Sequence, residues 1–154
     1  MKKIATALIL LSTLSLPALA EVSVTAPWAR ATVPAQKSSG AFMRVQSASK
    51  ARLVGVTSPA AAQVELHQME MKDNMMKMAQ VDGIDLPAGQ SVNLASGSYH
   101  IMLIGLKQQL KPGESIELNL QVEHPGKKRE TVTVRVPVKP INYAAPDSAM
   151  PPAH

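Results

Sequence analysis

The chain has 154 residues, no cysteine, nine methionines, four histidines and a formal net charge of +5 at pH 7. Without cysteine there is no thiol redox chemistry, no disulfide exchange, no thiolate nucleophile and no blue-copper centre, which needs a thiolate ligand. The length suits one domain around one core. The basic residues are scattered, apart from Lys127-Lys128-Arg129 beside Pro125-Gly126, and this argues against a nucleic-acid surface.

Residues 1–20 read as a secretory signal peptide. Lys2-Lys3 is a positive n-region, 4–16 is mostly apolar, and Ala18-Leu19-Ala20 is an A-x-A cleavage site. The apolar run is too short to span a membrane, and no later stretch is long enough. Cleavage after Ala20 removes two lysines, lowers the formal charge from +5 to +3, and delivers the chain to the periplasm. In an oxidising compartment, the soft ligands of a cysteine-free chain are thioethers.

Residues 22–25 alternate as an opening strand, and Pro27 marks an edge or a bend. Strands are predicted over 40–46 and 52–57, then over 64–71 and 75–81 as the two arms of a hairpin turning at Asp73-Asn74. Asp82-Gly83 and Leu86-Pro87-Ala88-Gly89 are turn signals. A short strand at 91–94, a turn at Ser96-Gly97-Ser98 and a strong strand at 99–104 follow. The clearest alternation lies at 115–123 and 131–138, joined through His124-Pro125-Gly126, where His124 reads as a turn residue. Strands every eight to twelve residues with Gly/Pro turns indicate an all-β Greek-key sandwich or barrel with little or no helix. The predicted organisation is a β domain over 21–140 and a flexible tail over 141–154.

Six of the nine methionines and two of the four histidines fall within 67–102. Period-2 alternation puts His100 and Met102 on one strand face, and His67, Met69 and Met71 on another. A two-residue turn at Asp73-Asn74 pairs Met71 with Met76 and Met69 with Met78, leaving His67 and Met78 as diagonal neighbours. Imidazole and thioether donors suit Cu(I), whereas Mg²⁺ and Ca²⁺ prefer oxygen. Taken singly, each methionine reads as core filler and each histidine as a structural residue. Their combined spacing carries the functional reading. Trp28 reads as core or near-site packing. Met69, Met71, Met75 and Met76 read equally as a soft transfer rim or a docking patch. No acid/base pair, nucleophile elbow or phosphate loop points to catalysis, so the chain is read as a non-enzyme.

The spacing is His67, ten residues, Met78, twenty-one residues, His100, one residue, Met102. This resembles the H-x10-M-x21-H-x-M signature of the PCuAC periplasmic copper chaperones. Val64-Glu65-Leu66-His67, Gly97-Ser98-Tyr99-His100-Ile101-Met102 and Trp28-Ala29-Arg30-Ala31-Thr32 resemble the same family. The resemblance covers 22–138. It implies a cupredoxin-like fold, a Cu(I) site of His67, Met78, His100 and Met102, and delivery to the CuA centre of cytochrome c oxidase subunit II beside a Sco-type partner. Some members of the family capture Cu(II) with a His- and Met-rich tail. Here the tail offers only Met150 and His154 to such a secondary site. The competing reading is a metal-free β-sandwich interaction module of the cell envelope with a Met-rich docking patch.

Overall fold

The computed structural model describes residues 21–146; the predicted signal peptide, Met150 and His154 lie outside the described residues. Ten strands occur among the described residues: β1 (Val22–Arg30), β2 (Ser38–Ser47), β3 (Ala51–Thr57), β4 (Ala61–Lys72), β5 (Met75–Gln80), β6 (Ile84–Leu86), β7 (Ser91–Leu94), β8 (Tyr99–Leu106), β9 (Ser115–His124) and β10 (Lys128–Lys139). There is no α-helix among the described residues, hence none to cross a membrane.

Alternating burial drives the assembly. In β9, Ile116, Leu118, Leu120 and Val122 are buried, whereas Ser115 and Glu117 are exposed. Opposite them in β10, Val136 pairs with Ile116 and Val134 with Leu118. Fully burying each such side chain contributes about 1.5–3 kcal/mol. The neighbours run β5-β4-β8-β2-β1-β10-β9-β3-β6, and β7 pairs with the edge of β2 beyond β8. All of these pairs are antiparallel except β1 with β10. The path folds over on itself, so that Ala41, Val45, Leu66, Ile101 and Leu103 share one apolar cluster with Leu53, Leu118, Leu120 and Val136. The result is the expected all-β, cupredoxin-like sandwich. Its sheet is open, with β5 and β6 as edges, and does not close into a barrel.

Several departures from the sequence reading have local causes. Leu86 reads as part of a turn, yet Ile84–Leu86 forms β6 against β3, with Ile84 opposite Leu53 and Leu86 opposite Ala51. Three residues are too few to display a period, and burial of Ile84 and Leu86 decides the pairing. Pro27 sits in a bulge, where the register shifts between Thr25 and Trp28 and Ala26 takes a φ of 49°. The bulge sets Trp28 opposite Phe42. Past Pro140 the chain turns and is tied to β1 by a side chain: the Tyr143 amide donates to the Pro140 carbonyl at 2.9 Å, and the Arg30 guanidinium donates to the Ile141 carbonyl at 2.6 Å. Residues 141–143, assigned from sequence to the tail, therefore return to β1.

Candidate metal centre

Alternation in β8 aims two of the predicted ligands away from the core. Ile101 and Leu103 are fully buried, so His100 and Met102 take the outer face. In β4, Leu66 enters the core, while Glu65, His67 and Met69 share the outer face. Pairing of the two strands sets His67 opposite His100 and Glu65 opposite Met102. The imidazole centroids are 5.5 Å apart and edge-on.

Pairing of β4 with β8 stops at Gln68, and β4 continues as a hairpin with β5. Its register is the predicted one, Met69 opposite Met78 and Met71 opposite Met76. Asp73 and Asn74 have φ of 52° and 59°, the left-handed conformations that a two-residue I′ turn requires and that these residue types tolerate. Met78 is thus diagonal to His67, on the side away from Met102. In a flat sheet the Cα atoms of Met78 and Met102 would lie about 17 Å apart, two strand spacings across and four residue rises along. His67, His100 and Met102 therefore form the compact part of the set. Met78, 49% exposed, is the outlying member of the predicted four, and only strand twist and the length of its side chain could bring it to the others.

The histidines are prepared differently. His67 Nε2 lies 2.7 Å from Glu65 Oε2, and Gln63 Nε2 donates to the other oxygen of that carboxylate at 2.7 Å. His67 Nδ1 is buried and has no hydrogen-bond partner. With the proton on Nε2 and donated to Glu65, the Nδ1 lone pair is the free donor atom. A buried polar atom left unpaired costs about 1–3 kcal/mol, which coordination to a cation would offset. His100, only 7% exposed, hydrogen-bonds the Ser98 backbone. Burial pushes the His100 pKa below its ordinary value; the Ser98 bond opposes this shift, and the neighbouring His67 adds to it. The neutral imidazole, the form that binds a metal, is therefore favoured at His100.

A row of rings covers one flank. Phe42 lies 6.3 Å from His100, Trp28 stacks on Phe42 at 4.5 Å, and Tyr143 meets Trp28 edge-on at 4.9 Å. Arg30 sits over Trp28 and Phe42, at 5.1 and 5.8 Å from the ring centroids. Phe42 thus stands between Trp28 and the imidazoles, and the cation that Trp28 meets is Arg30. Gly40 is opposite Met102, and a Cβ there would lie 2.9 Å from Phe42 Cζ. Only glycine lets that ring lie down beside Met102.

Met71, Met75 and Met76 are exposed on the hairpin; Met71 and Met76 share the face of His67, and Met75 takes the other. Met43, by contrast, is core filler. The expectation for His124 is corrected. It is the last residue of β9, its side chain only 9% exposed, and it lies 2.8 Å from Glu130. Sequence reasoning passed over Glu65, although its position two residues before His67 on a strand is the signal that puts a carboxylate beside that ring.

A family model described as "Putative lipoprotein LpqE-like" matches residues 22–138. The Leifsonia xyli subsp. xyli protein Lxx21020 is 32% identical over 124 residues, spanning 80% of this chain and 72% of that protein. Among solved structures, the copper-bound PCuAC domain from PmoF2 superposes with a TM-score of 0.64 at 25% identity, covering 80% of this chain and 96% of that domain. The solution structure of CuI-DR1885 from Deinococcus radiodurans gives 0.58 at 28% identity, with 80% of each chain covered. By the span of the family match and the identity to Lxx21020, this chain belongs to the LpqE-like family, and its fold is that of the PCuAC domains.

Proposed function

We propose that this protein is an exported, periplasmic copper chaperone that holds one Cu(I) ion through His67, Met78, His100 and Met102. The observation that carries this reading is the His67–His100 pair: two imidazoles 5.5 Å apart on an outer sheet face, one with its Nδ1 buried, unpartnered and backed by a carboxylate. The PCuAC domain of PmoF2 and DR1885, both structurally similar, are described with bound copper, which supports the same cargo here. The donors are two neutral imidazoles and two neutral thioethers. They leave the complex with a single positive charge and match a soft monovalent ion better than a hard divalent one.

The geometry favours carriage and exchange. His67, His100 and Met102 hold the ion against the sheet, while the ring of Phe42 covers the His100 flank. Met78 lies on the exposed edge strand, where an incoming ligand can displace it without unfolding anything. Met76 and Met71, next along the same face, offer successive soft donors for stepwise transfer. The recipient this chemistry fits is another copper-binding centre of the periplasm; by family resemblance it is the CuA site of cytochrome c oxidase subunit II, with a Sco-type partner. The protein moves the ion and performs no reaction on it.

X-ray absorption of the Cu(I)-loaded protein tests this directly. The expected result is two nitrogen and two sulfur neighbours, together with tight Cu(I) retention against a chromophoric chelator. Retention that is absent, or indifferent to both His100→Ala and Met78→Ala, would leave the exposed methionines as a docking patch on a metal-free interaction module.

A further inference from the structure

A second cluster of metal-ligating side chains lies far from the first in the strand order. In β9, the core-facing row Ile116, Leu118, Leu120 and Val122 ends in His124; in β10, the matching row begins with Lys128 and Glu130, where Glu130 is opposite Val122. His124 and Glu130 therefore stand where the sandwich runs out of apolar side chains. Glu21, just before β1, is fixed beside them: the Ala48 amide donates to its carbonyl at 2.8 Å, and the Ser49 hydroxyl donates to its carboxylate.

The ligand atoms of Glu21, His124 and Glu130 all lie within 4.8 Å of one another. His124 Nε2 is 2.8 Å from Glu130 Oε2, whereas Nδ1 is buried with no hydrogen-bond partner, 3.6 Å from Glu21 Oε1. That gap is too long for a hydrogen bond but close to the edge of a metal tetrahedron, about 3.4 Å for bonds near 2.1 Å. The imidazole is nine-tenths buried, so water does not satisfy it from bulk, and its free nitrogen faces a carboxylate. Two carboxylates and a neutral imidazole balance a charge of 2+, and with no thioether the set does not favour Cu(I).

We propose that Glu21, His124 and Glu130 bind a divalent transition-metal ion of borderline hardness, such as Zn²⁺ or Cu²⁺. The ion bonds to His124 Nδ1 and to Glu21 Oε1, and a swing of the one-third-exposed Glu130 carboxylate brings in the third ligand. A fourth position stays open to solvent beside Glu21. Such an ion would clip the start of β1 to the β9–β10 hairpin.

The test is a Zn²⁺ titration of the full chain against a chromophoric chelator, with His124→Gln, Glu21→Gln and His67→Ala alongside. One equivalent of Zn²⁺ should bind to wild type and to His67→Ala, with affinity at least tenfold weaker in both His124→Gln and Glu21→Gln. Glu21 is half-exposed, so its variant reports on ligation even if His124→Gln proves poorly folded. No Zn²⁺ binding, equal affinity in Glu21→Gln and wild type, or loss in His67→Ala alone would overturn the proposal. Displacement of Zn²⁺ by Cu²⁺ carrying a single-nitrogen spin-resonance pattern supports it and identifies the tighter ion. Two coupled nitrogens would place the ion on the His67–His100 pair, and overturn it. None of these readouts involves Cu(I), so the result is independent of the chaperone reading.

Discussion

Replacing Glu65 by Gln keeps the length of the side chain but removes the charge that backs His67. The Glu65 Oε2 to His67 Nε2 contact is 2.7 Å, and the two side chains are only 17% and 13% exposed, so solvent screens the pair weakly. A hydrogen bond to a charged group contributes about 1.5–3 kcal/mol and a neutral one about 0.5–1.5, so the substitution forfeits about 1–1.5 kcal/mol of orienting interaction. At about 1.4 kcal/mol per decade, that is roughly a tenfold loss of Cu(I) affinity. It falls at the lower end of the 10- to 100-fold range typical when a metal-bound histidine loses its outer partner. The assay is competition for Cu(I) against a chromophoric chelator, with thermal unfolding of the apo-protein as the folding control. Glu65→Leu, which removes the acceptor altogether, should weaken binding further. Affinity within twofold of wild type in both variants would refute the idea that the carboxylate prepares His67 Nδ1 for the ion.

Three further outcomes are expected. Met78→Leu should weaken Cu(I) retention yet shift apo-protein stability by less than about 0.5 kcal/mol, since the side chain is exposed; Met102→Leu should weaken retention as well, and sulfur counting by X-ray absorption checks both. Because the His100 pKa is lowered on folding, the native state binds fewer protons than the unfolded state once pH drops below the ordinary histidine value of 6.5. Apo-protein stability should therefore hold above that pH and decline as pH falls through and below it, a slope that denaturant unfolding should find diminished in His100→Gln. Gly40→Ala sets a Cβ 2.9 Å from Phe42 Cζ and should cost about 1–3 kcal/mol by overpacking. Since Phe42 stacks on Trp28, the one tryptophan in the chain, fluorescence should report the displaced ring.

The strands were legible where alternation ran long. β9 and β10 follow from period-2 burial, whereas the β4–β5 hairpin, exposed along nearly all of β5, follows from the turn chemistry of Asp73-Asn74, which also sets the Met69–Met78 register. β6 was not legible, because three residues carry no period and only their burial against β3 makes them a strand. The strand position of His124 is hidden from the sequence for a related reason. Beside Pro125-Gly126 it looks like turn sequence, but the inward parity of β9 persists to its last residue and turns that ring toward Glu130.

By itself the sequence determined the chemistry on offer: no thiolate, two imidazoles and two thioethers at a spacing that alternation could bring to the outer faces of β4, β5 and β8. Which residues flank each donor was decided only in three dimensions. Pairing of β4 with β8 sets His67 against His100 across thirty-three positions of chain, and folding of the sheet brings Phe42 over one flank and leaves Met78 exposed at the edge. Local pattern fixes the face a side chain takes, because the backbone period is local; its neighbours across the sheet depend on strand order, which is set by the burial of the whole core.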